Sequence, residues 1–109
     1  IDTPEELPWA RNVFWMFAIR ITREYGMTRD ELGRYLKQQG IDTRTFFCPM
    51  NQQPFLLEQE GFREVECPIA DQLWEEGLYL PSSIYLDEKT IEQICRAIAS
   101  ANAEVKLQG

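Results

Sequence analysis

The 109-residue sequence contains no histidine, and this absence argues against several kinds of active site. Histidine is the commonest metal ligand, the usual general base near neutral pH, and the base of Ser-His and Cys-His pairs. Cysteine is also scarce, since Cys48, Cys67 and Cys95 lie far apart and form no C-x-x-C pair. The sequence therefore indicates neither a zinc knuckle nor a dithiol redox site, and it favours reduced thiols in the cytoplasm.

Basic side chains are in the minority, and long apolar runs are missing. The chain has 11 lysines and arginines against 18 aspartates and glutamates, which gives a net charge of -7. This charge repels phosphate backbones, so we expect no nucleic-acid partner. The longest apolar run, Val13–Ile19, is far shorter than the roughly 20 residues that cross a bilayer. We therefore expect no membrane partner and a cytoplasmic location.

The length of the chain suits one compact domain, and its 44% hydrophobic content is that of a globular protein. The sequence begins with Ile1 rather than methionine, and Pro4 and Pro8 interrupt its first segment. We interpret residues 1–9 as a linker, residues 10–101 as the domain and residues 102–109 as a frayed tail. The chain is expected to be a piece of a longer protein.

Segments rich in β-branched and aromatic residues predict three strands, at Asn12–Ile21, Ile41–Phe47 and Leu78–Leu80. The first strand is apolar at odd and even positions alike, so we expect both of its faces to be covered. Helices within this domain could cover both faces. Alternatively, helices could cover one face while material outside this chain covers the other.

Three helices are predicted between and after these strands. A capping box of Thr28 and Glu31 begins the first helix, and Gly40 ends it in a left-handed conformation. Pro68 suits the start of the second helix, and Asp87 caps the third. The apolar side of the second helix is formed by Ile69, Leu73 and Trp74. A helical turn is also expected within Phe55–Gly61, and the order of elements predicts a small α+β layer.

The segment from Gly40 to Phe55 holds the candidate ligand groups. Arg44 could form two hydrogen bonds with a phosphate or carboxylate ligand, or a salt bridge with one of the acidic residues. Phe47 could stack on a base or sugar, or join Phe46 in the core. Loop amides could bind sugar hydroxyls or bond to their own backbone. The substrate-binding candidates are Arg44, Phe47, Asn51 and Gln53.

Several short motifs over residues 8–101 occur in an order that resembles a known family. They are Asn12-Val13-Phe14-Trp15-Met16-Phe17, Thr28-Arg29-Asp30-Glu31-Leu32, Thr43-Arg44-Thr45-Phe46-Phe47-Cys48-Pro49-Met50 with Gln53-Pro54, and Leu78-Tyr79-Leu80-Pro81-Ser82. Together they resemble the C-terminal domain of the DegT/StrS sugar aminotransferases. The paired phenylalanines before Cys-Pro-Met resemble the GDP-perosamine synthase branch of that family.

This resemblance implies the small C-terminal domain of the aspartate-aminotransferase fold, with a short, mostly antiparallel sheet packed with helices. In the family, a large N-terminal domain holds pyridoxal phosphate on a lysine, and residues 1–9 would lead from that domain. Glutamate gives the amino group, and a nucleotide-linked keto-sugar accepts it. The small domain closes the cleft and helps to line the sugar-nucleotide site, usually in a homodimer. This chain departs from the family at Asn51, where many relatives have histidine or serine.

The lysines of this chain are poor candidates for the cofactor lysine. Lys37 and Lys89 have polar surroundings on predicted helices, and Lys106 lies in the predicted tail. We therefore expect no catalytic residue here, and an inactive domain when it is isolated. Two other functions stay open at this point. One is a stand-alone α+β module that binds a small metabolite or regulates, and the other is a structural domain that docks through its apolar strand.

Overall fold

The computed structural model describes the backbone of residues 1–61 and 65–108, and the side chains of residues 1–61 and 65–103. Its sheet has three antiparallel strands: β1 (Phe17–Arg20), β2 (Arg44–Thr45) and β3 (Gly77–Leu80). The strand order is β1-β3-β2, so the last strand in sequence lies at the centre. A small α+β domain with a short antiparallel sheet is thereby confirmed.

Helices connect and follow the strands. The α-helices are α1 (Arg29–Gln38), α2 (Pro54–Leu57), α3 (Pro68–Glu76) and α4 (Glu88–Gln108). Short 3₁₀ turns occur at Arg23–Tyr25 and Met50–Gln52. The turn expected within Phe55–Gly61 is thus α2, which begins one residue earlier and ends at Leu57. None of the helices in the described part of the chain is both long and apolar enough to cross a membrane.

Strand β1 is shorter than the predicted strand Asn12–Ile21 and begins only at Phe17. The reason lies at Phe14, where φ is 48°, because this left-handed backbone conformation interrupts an extended strand. The side chain of Asn12 stabilises the turn, since its Oδ1 accepts a hydrogen bond from the Phe14 N–H at 2.8 Å. The expectation of a continuous strand from Asn12 was therefore wrong.

The free edge of β1 carries the start of the chain. Asp2 and Arg20 exchange two backbone hydrogen bonds of 3.0 and 2.9 Å, and their side chains form an ion pair at 2.6 Å. β1 is thus an edge strand of the three-stranded sheet. The predicted strand Ile41–Phe47 is also reduced, to the two residues of β2. Beyond β2, the Phe46 N–H still donates to the Gly77 carbonyl at 3.3 Å.

The predicted helix starts are confirmed in atomic detail. The Glu31 carboxylate accepts a hydrogen bond from the Thr28 N–H at 2.7 Å, and the Thr28 hydroxyl accepts one from the Glu31 N–H at 3.3 Å. Gly40 has the predicted positive φ, 76°. Asp87 Oδ1 accepts a hydrogen bond from the Thr90 N–H at 2.8 Å. Helix α4, however, continues to Gln108, past the end of the domain that the sequence predicted at residue 101.

The core lies between one face of the sheet and the helices α1 and α4. Its buried side chains are Ile19, Ile21, Tyr25, Leu32, Leu36, Ile41, Leu78, Ile94 and Ala101. Tyr25 ties this core together, because its hydroxyl donates to the Ile98 carbonyl of α4 at 2.5 Å. Burial raises the pKa of Tyr25, with a smaller contribution from Tyr35, so the hydroxyl keeps its proton and its role as a donor.

Helix α3 differs from the other long helices, because none of its residues is buried. Ile69 and Leu73 of its predicted apolar side are exposed, and Trp74 is half-buried. Trp74 packs instead against α1, where the Arg29 guanidinium lies 5.9 Å from the centre of its ring. Arg29 also donates to the carbonyl of Trp74 and thereby satisfies a group at the helix end.

Candidate functional site

The candidate site lies on the outer face of the sheet, the face turned away from the core. Side chains alternate between the two faces of a strand, and Leu78 points into the core. Its neighbours Gly77 and Tyr79 therefore lie on the outer face. Arg44 is directly opposite Tyr79 in the antiparallel pairing, so it shares this face. The sheet thus brings together residues 35 positions apart in the sequence.

Because Gly77 has no side chain, it leaves a space that the Phe46 ring occupies, here called the seat of Phe46. A Cβ atom on Gly77 would lie 2.2 Å from Cγ of Phe46 and 2.4 Å from the carbonyl oxygen of Leu73. A side chain at this position would therefore displace the ring. The Phe46 ring also stacks on Tyr79, with 4.6 Å between ring centres and 20° between planes. Phe46 is thus held between the start and the middle of β3.

Phe47 is presented to solvent beside this stack. Its side chain is 71% exposed, and its ring lies 6.2 Å from that of Tyr79 at an angle of 56°. Of the two phenylalanines, Phe46 packs against the sheet and Phe47 stays available. The alternative that both join the core is therefore wrong. Tyr79 contacts Phe47 and lies opposite Arg44, so it is the common neighbour of two predicted site residues.

Arg44 is exposed and lines a hollow of about 250 Å³. Met16 of the segment before β1 and Ser82 after β3 also line it, together with Tyr79 and Asp42. Within residues 1–61 and 65–103, Arg44 has no ion pair. The salt-bridge alternative is therefore not realised among these residues. A guanidinium that shares a hollow with the Tyr79 ring can bind an anionic ligand through charge-assisted hydrogen bonds.

The predicted amides Asn51 and Gln53 are engaged within the chain. Asn51 Nδ2 donates to Asp71 Oδ1 of α3 at 3.2 Å, and Gln53 Nε2 donates to the Cys48 carbonyl at 3.0 Å. These two bonds connect the loop after β2 to α3 and to itself. In this conformation the two amides stabilise the loop through these hydrogen bonds. The guanidinium of Arg44 and the ring of Phe47 are exposed and can contact a ligand.

Within the residues that the structure describes, the acids with a lowered pKa belong to helix starts rather than to this face. A hydrogen bond with the Thr22 side chain lowers the pKa of Glu24 in the first turn of the 3₁₀ helix. Hydrogen bonds from Thr28 lower the pKa of Glu31, and hydrogen bonds from Thr90 lower the pKa of Asp87. Shifted pKa values often indicate active sites, but here each has a capping partner that explains it. Among the described residues there is also no cluster of three or more side chains that could hold a metal ion.

The residues present do not fit a covalently held pyridoxal phosphate. A lysine that forms a Schiff base needs a desolvated pocket that lowers the pKa of its amine. Lys37 and Lys89 are exposed on α1 and α4. The side chain of Lys106 lies outside the described residues. No catalytic step through this cofactor is therefore assigned to the described residues.

Tyr79 and Gly77 are site residues for which no role was predicted from the sequence. The sequence pattern that indicates their position is the alternation in Gly77-Leu78-Tyr79-Leu80. It places Gly77 and Tyr79 on the face opposite to the core residue Leu78. That alternation could have identified Tyr79 as an outer-face aromatic. The seat at Gly77 depends on Phe46, which is distant in sequence, so no local pattern could have shown it.

Comparison with known proteins identifies relatives of this chain. A pleiotropic regulatory protein of Geobacillus stearothermophilus is 33% identical over 100 residues, which cover 91% of this chain and 25% of that protein. A GDP-perosamine synthase of Caulobacter vibrioides is 31% identical over 98 residues, 90% of this chain and 26% of that protein. The GDP-perosamine synthase of Vibrio cholerae is 28% identical over 88 residues, 78% of this chain and 23% of that protein.

The fold matches that of a solved aminotransferase. The solved structure of the aminotransferase TlmJ from Streptoalloteichus hindustanus superposes with a TM-score of 0.76 at 21% identity, over 95% of this chain and 26% of that one. The chain thus spans about a quarter of the length of the relatives it matches. The sequence profile of the DegT/DnrJ/EryC1/StrS aminotransferases matches residues 1–99. This chain belongs to the DegT/DnrJ/EryC1/StrS aminotransferase family.

Proposed function

We propose that this chain is the small C-terminal domain of a pyridoxal-phosphate-dependent aminotransferase. The whole enzyme would move an amino group from glutamate to a nucleotide-linked keto-deoxy-sugar. The observation that carries this proposal is the family match over residues 1–99, which accounts for nearly the whole chain. The GDP-perosamine synthases among the relatives support a perosamine-type product. The proposal further places this synthesis in the cytoplasm and its product in surface polysaccharide.

The proposal assigns the cofactor to another part of the protein. The described lysines of this chain lie on exposed helix surfaces, so the Schiff-base lysine would belong to a large N-terminal domain. Residues 1–9 would link the two domains, residues 10–101 would form the small domain, and residues 102–109 would follow it. The isolated chain would then be inactive, and the complete enzyme would work as a homodimer.

The outer sheet face would supply the contacts of this domain with the substrate. The Arg44 guanidinium would bind the phosphates of the nucleotide-sugar, because it is exposed and unpaired among the described residues. Phe47 would stack on the base or the sugar. Asn51 and Gln53 would contact the sugar only if they gave up their bonds to Asp71 and Cys48. Closure of the domain over the cleft would then exclude water from the bound substrate.

A transfer assay with isotopically labelled glutamate tests this function. The full-length protein would be incubated with ¹⁵N-glutamate and a set of nucleotide-linked keto-deoxy-sugars, and the products analysed by mass spectrometry. The proposal predicts an amino-sugar nucleotide that carries ¹⁵N. The Arg44→Gln variant should raise KM for the sugar nucleotide more than for glutamate, because only the former has phosphates. The absence of label from every product would contradict the proposal.

A regulatory role is a second candidate, because the Geobacillus relative is described as a pleiotropic regulatory protein. That relative is about four times as long as the matched region, so its name describes more than this domain. The same assay separates the two candidates. A protein that binds a nucleotide-sugar but transfers no ¹⁵N would favour regulation over catalysis.

A further inference from the structure

The hollow beside Arg44 contains an acidic side chain as well as a basic one. Its volume is about 250 Å³, and its lining includes Met16, Asp42, Arg44, Tyr79, Pro81 and Ser82. Pockets that enclose a whole drug-sized ligand measure about 300–1,000 Å³. The hollow is smaller, so it suits one flat group of a nucleotide-linked sugar rather than the whole molecule.

Two of the polar side chains at the hollow are occupied elsewhere. The Ser82 hydroxyl donates to a main-chain carbonyl of the segment before β1 at 3.3 Å. The Thr43 hydroxyl faces α1, since its oxygen lies 3.4 Å from the position that a Cβ on Gly33 would take. Asp42 and Arg44 are the charged groups at the hollow, and both are exposed. These two side chains are therefore the ones that can bind a polar ligand.

The two charged groups do not neutralise each other. In residues 1–61 and 65–103, neither Asp42 nor Arg44 forms an ion pair. An ionised carboxylate only accepts hydrogen bonds, and a guanidinium only donates them. The hollow thus suits a ligand that has an edge of hydrogen-bond donors and, next to it, an anionic group.

Tyr79 gives the hollow an aromatic wall whose position is fixed. It lies opposite Arg44 in the pairing of β2 with β3, and the Phe46 ring stacks on it with 4.6 Å between ring centres. Tyr79 is half-buried and lines the hollow, so part of its surface stays accessible from that side. Every nucleobase has a π-face that can stack on an aromatic side chain. Stacking would therefore hold a base here without selecting which base it is.

We infer that Asp42 selects guanine as the base of the nucleotide-linked sugar. This inference rests on the proposed function, in which the substrate carries a nucleotide. Guanine has two adjacent donors, N1–H and the N2 amino group, and one carboxylate can accept hydrogen bonds from both. The other common bases place an acceptor atom beside their donor, and the carboxylate repels that acceptor. Arg44, two positions further along the chain, would then bind the phosphates.

Calorimetry with nucleoside diphosphates tests this selection in the full-length protein. Inosine diphosphate is GDP without the N2 amino group, so it can form only one of the two hydrogen bonds with Asp42. We expect GDP to bind at least about fivefold more tightly than inosine diphosphate, as for other paired hydrogen bonds to a base edge. Equal affinities for the two nucleotides, or no binding of GDP, would overturn the inference.

The substitution Asp42→Asn should reverse the base preference. The amide keeps one acceptor but gains a donor, which opposes the guanine amino group and fits the carbonyl oxygen that xanthine has in its place. The variant should bind xanthosine diphosphate at least about fivefold more tightly than GDP, whereas the parent protein should prefer GDP. A variant that merely misfolds cannot gain affinity for a nucleotide. Retained preference for GDP in Asp42→Asn would reject the inference.

Glu88→Gln is the matched control, because it removes one negative charge from the exposed first turn of α4, outside the hollow. It should keep the preference for GDP. Asp42→Ala removes both acceptors and should bind GDP and inosine diphosphate equally. If Asp42 held the ribose hydroxyls instead, Asp42→Ala would weaken every nucleotide by the same factor and keep the preference for GDP, which would also reject the inference. Circular dichroism of each variant verifies the fold.

The ¹⁵N-glutamate assay distinguishes failure of this inference from failure of the proposed function. Transfer of ¹⁵N by a protein whose base preference does not respond to Asp42→Asn would leave the aminotransferase proposal standing and reject only the role of Asp42. A base preference that Asp42→Asn reverses, without ¹⁵N transfer to any nucleotide-linked sugar, would do the opposite.

Discussion

The seat of Phe46 on Gly77 makes the substitution Gly77→Ala a sharp test of the outer face. The added Cβ would lie 2.2 Å from Cγ of Phe46. An ordinary contact distance begins at 3.4 Å, so the ring would have to move by more than 1 Å. Overpacking of this kind typically costs about 1–3 kcal/mol. The Leu73 carbonyl, 2.4 Å from the same position, is main chain and has little freedom to retreat.

Two further effects of Gly77→Ala have opposite signs. Displacement of Phe46 would weaken its stacking on Tyr79, and aromatic pairs contribute about 0.5–1.5 kcal/mol. Alanine also restricts the unfolded chain, which favours folding by about 0.4–1 kcal/mol where the native backbone suits it. Gly77 has φ of -85° and ψ of 135°, which alanine can adopt. We therefore expect a net loss of about 1–3 kcal/mol, dominated by the clash.

Gly33→Ala is the matched control for this experiment. A Cβ on Gly33 would lie 3.4 Å from Thr43 Oγ1 and 3.8 Å from Leu78 Cδ1, which are tolerable contacts. Because Gly33 lies inside α1, alanine should stabilise the domain by about 0.5–1 kcal/mol through helix propensity. The same chemical change should thus shift the urea midpoint in opposite directions at the two sites. A Gly77→Ala variant as stable as the parent would refute the account of the seat.

Three other predictions follow from side-chain contacts. Arg44→Gln should weaken GDP binding about tenfold or more in calorimetry, as expected for loss of a charge-assisted contact, without lowering the urea midpoint. Arg29→Met should reduce the unfolding free energy by about 2 kcal/mol, because the Trp74 carbonyl loses its donor; an unchanged urea midpoint would contradict this. Thr90 lowers the pKa of Asp87 below its usual 3.8, so the stabilisation from this cap is present above pH 3.8 and lost as the pH falls through the folded pKa. Asp87→Asn should remove that part of the acid dependence. The measurement is urea unfolding from about pH 2 to about pH 5, a range that brackets the usual pKa.

Features set by neighbouring residues could be predicted from the sequence. The capping box of Thr28 and Glu31, the left-handed Gly40 and the cap at Asp87 all depend on residues within one helical turn. The family resemblance likewise combined short motifs in a fixed order, and the family profile confirmed it. Antiparallel pairing of the short strands was part of that expectation.

Features set by distant residues could not be predicted in the same way. Apolar composition predicted a strand through Phe14, but the turn stabilised by Asn12 breaks it. The role of Asn51 depends on Asp71, 20 positions away, and the position of the Phe46 ring depends on Gly77. The apolar side of α3 was expected to be buried, but none of its residues is. Periodicity indicates which face of a helix is apolar but not what covers that face.

The most direct test of the aminotransferase account is to locate the cofactor in the native full-length protein. Borohydride reduction followed by digestion would convert any Schiff base into a stable pyridoxyl-lysine peptide, and intact mass would give the length of the protein. We predict a mass several-fold above that of the 109-residue chain, with the modified lysine outside it. A native mass near that of this chain, or a modified lysine at Lys37 or Lys89, would contradict the account.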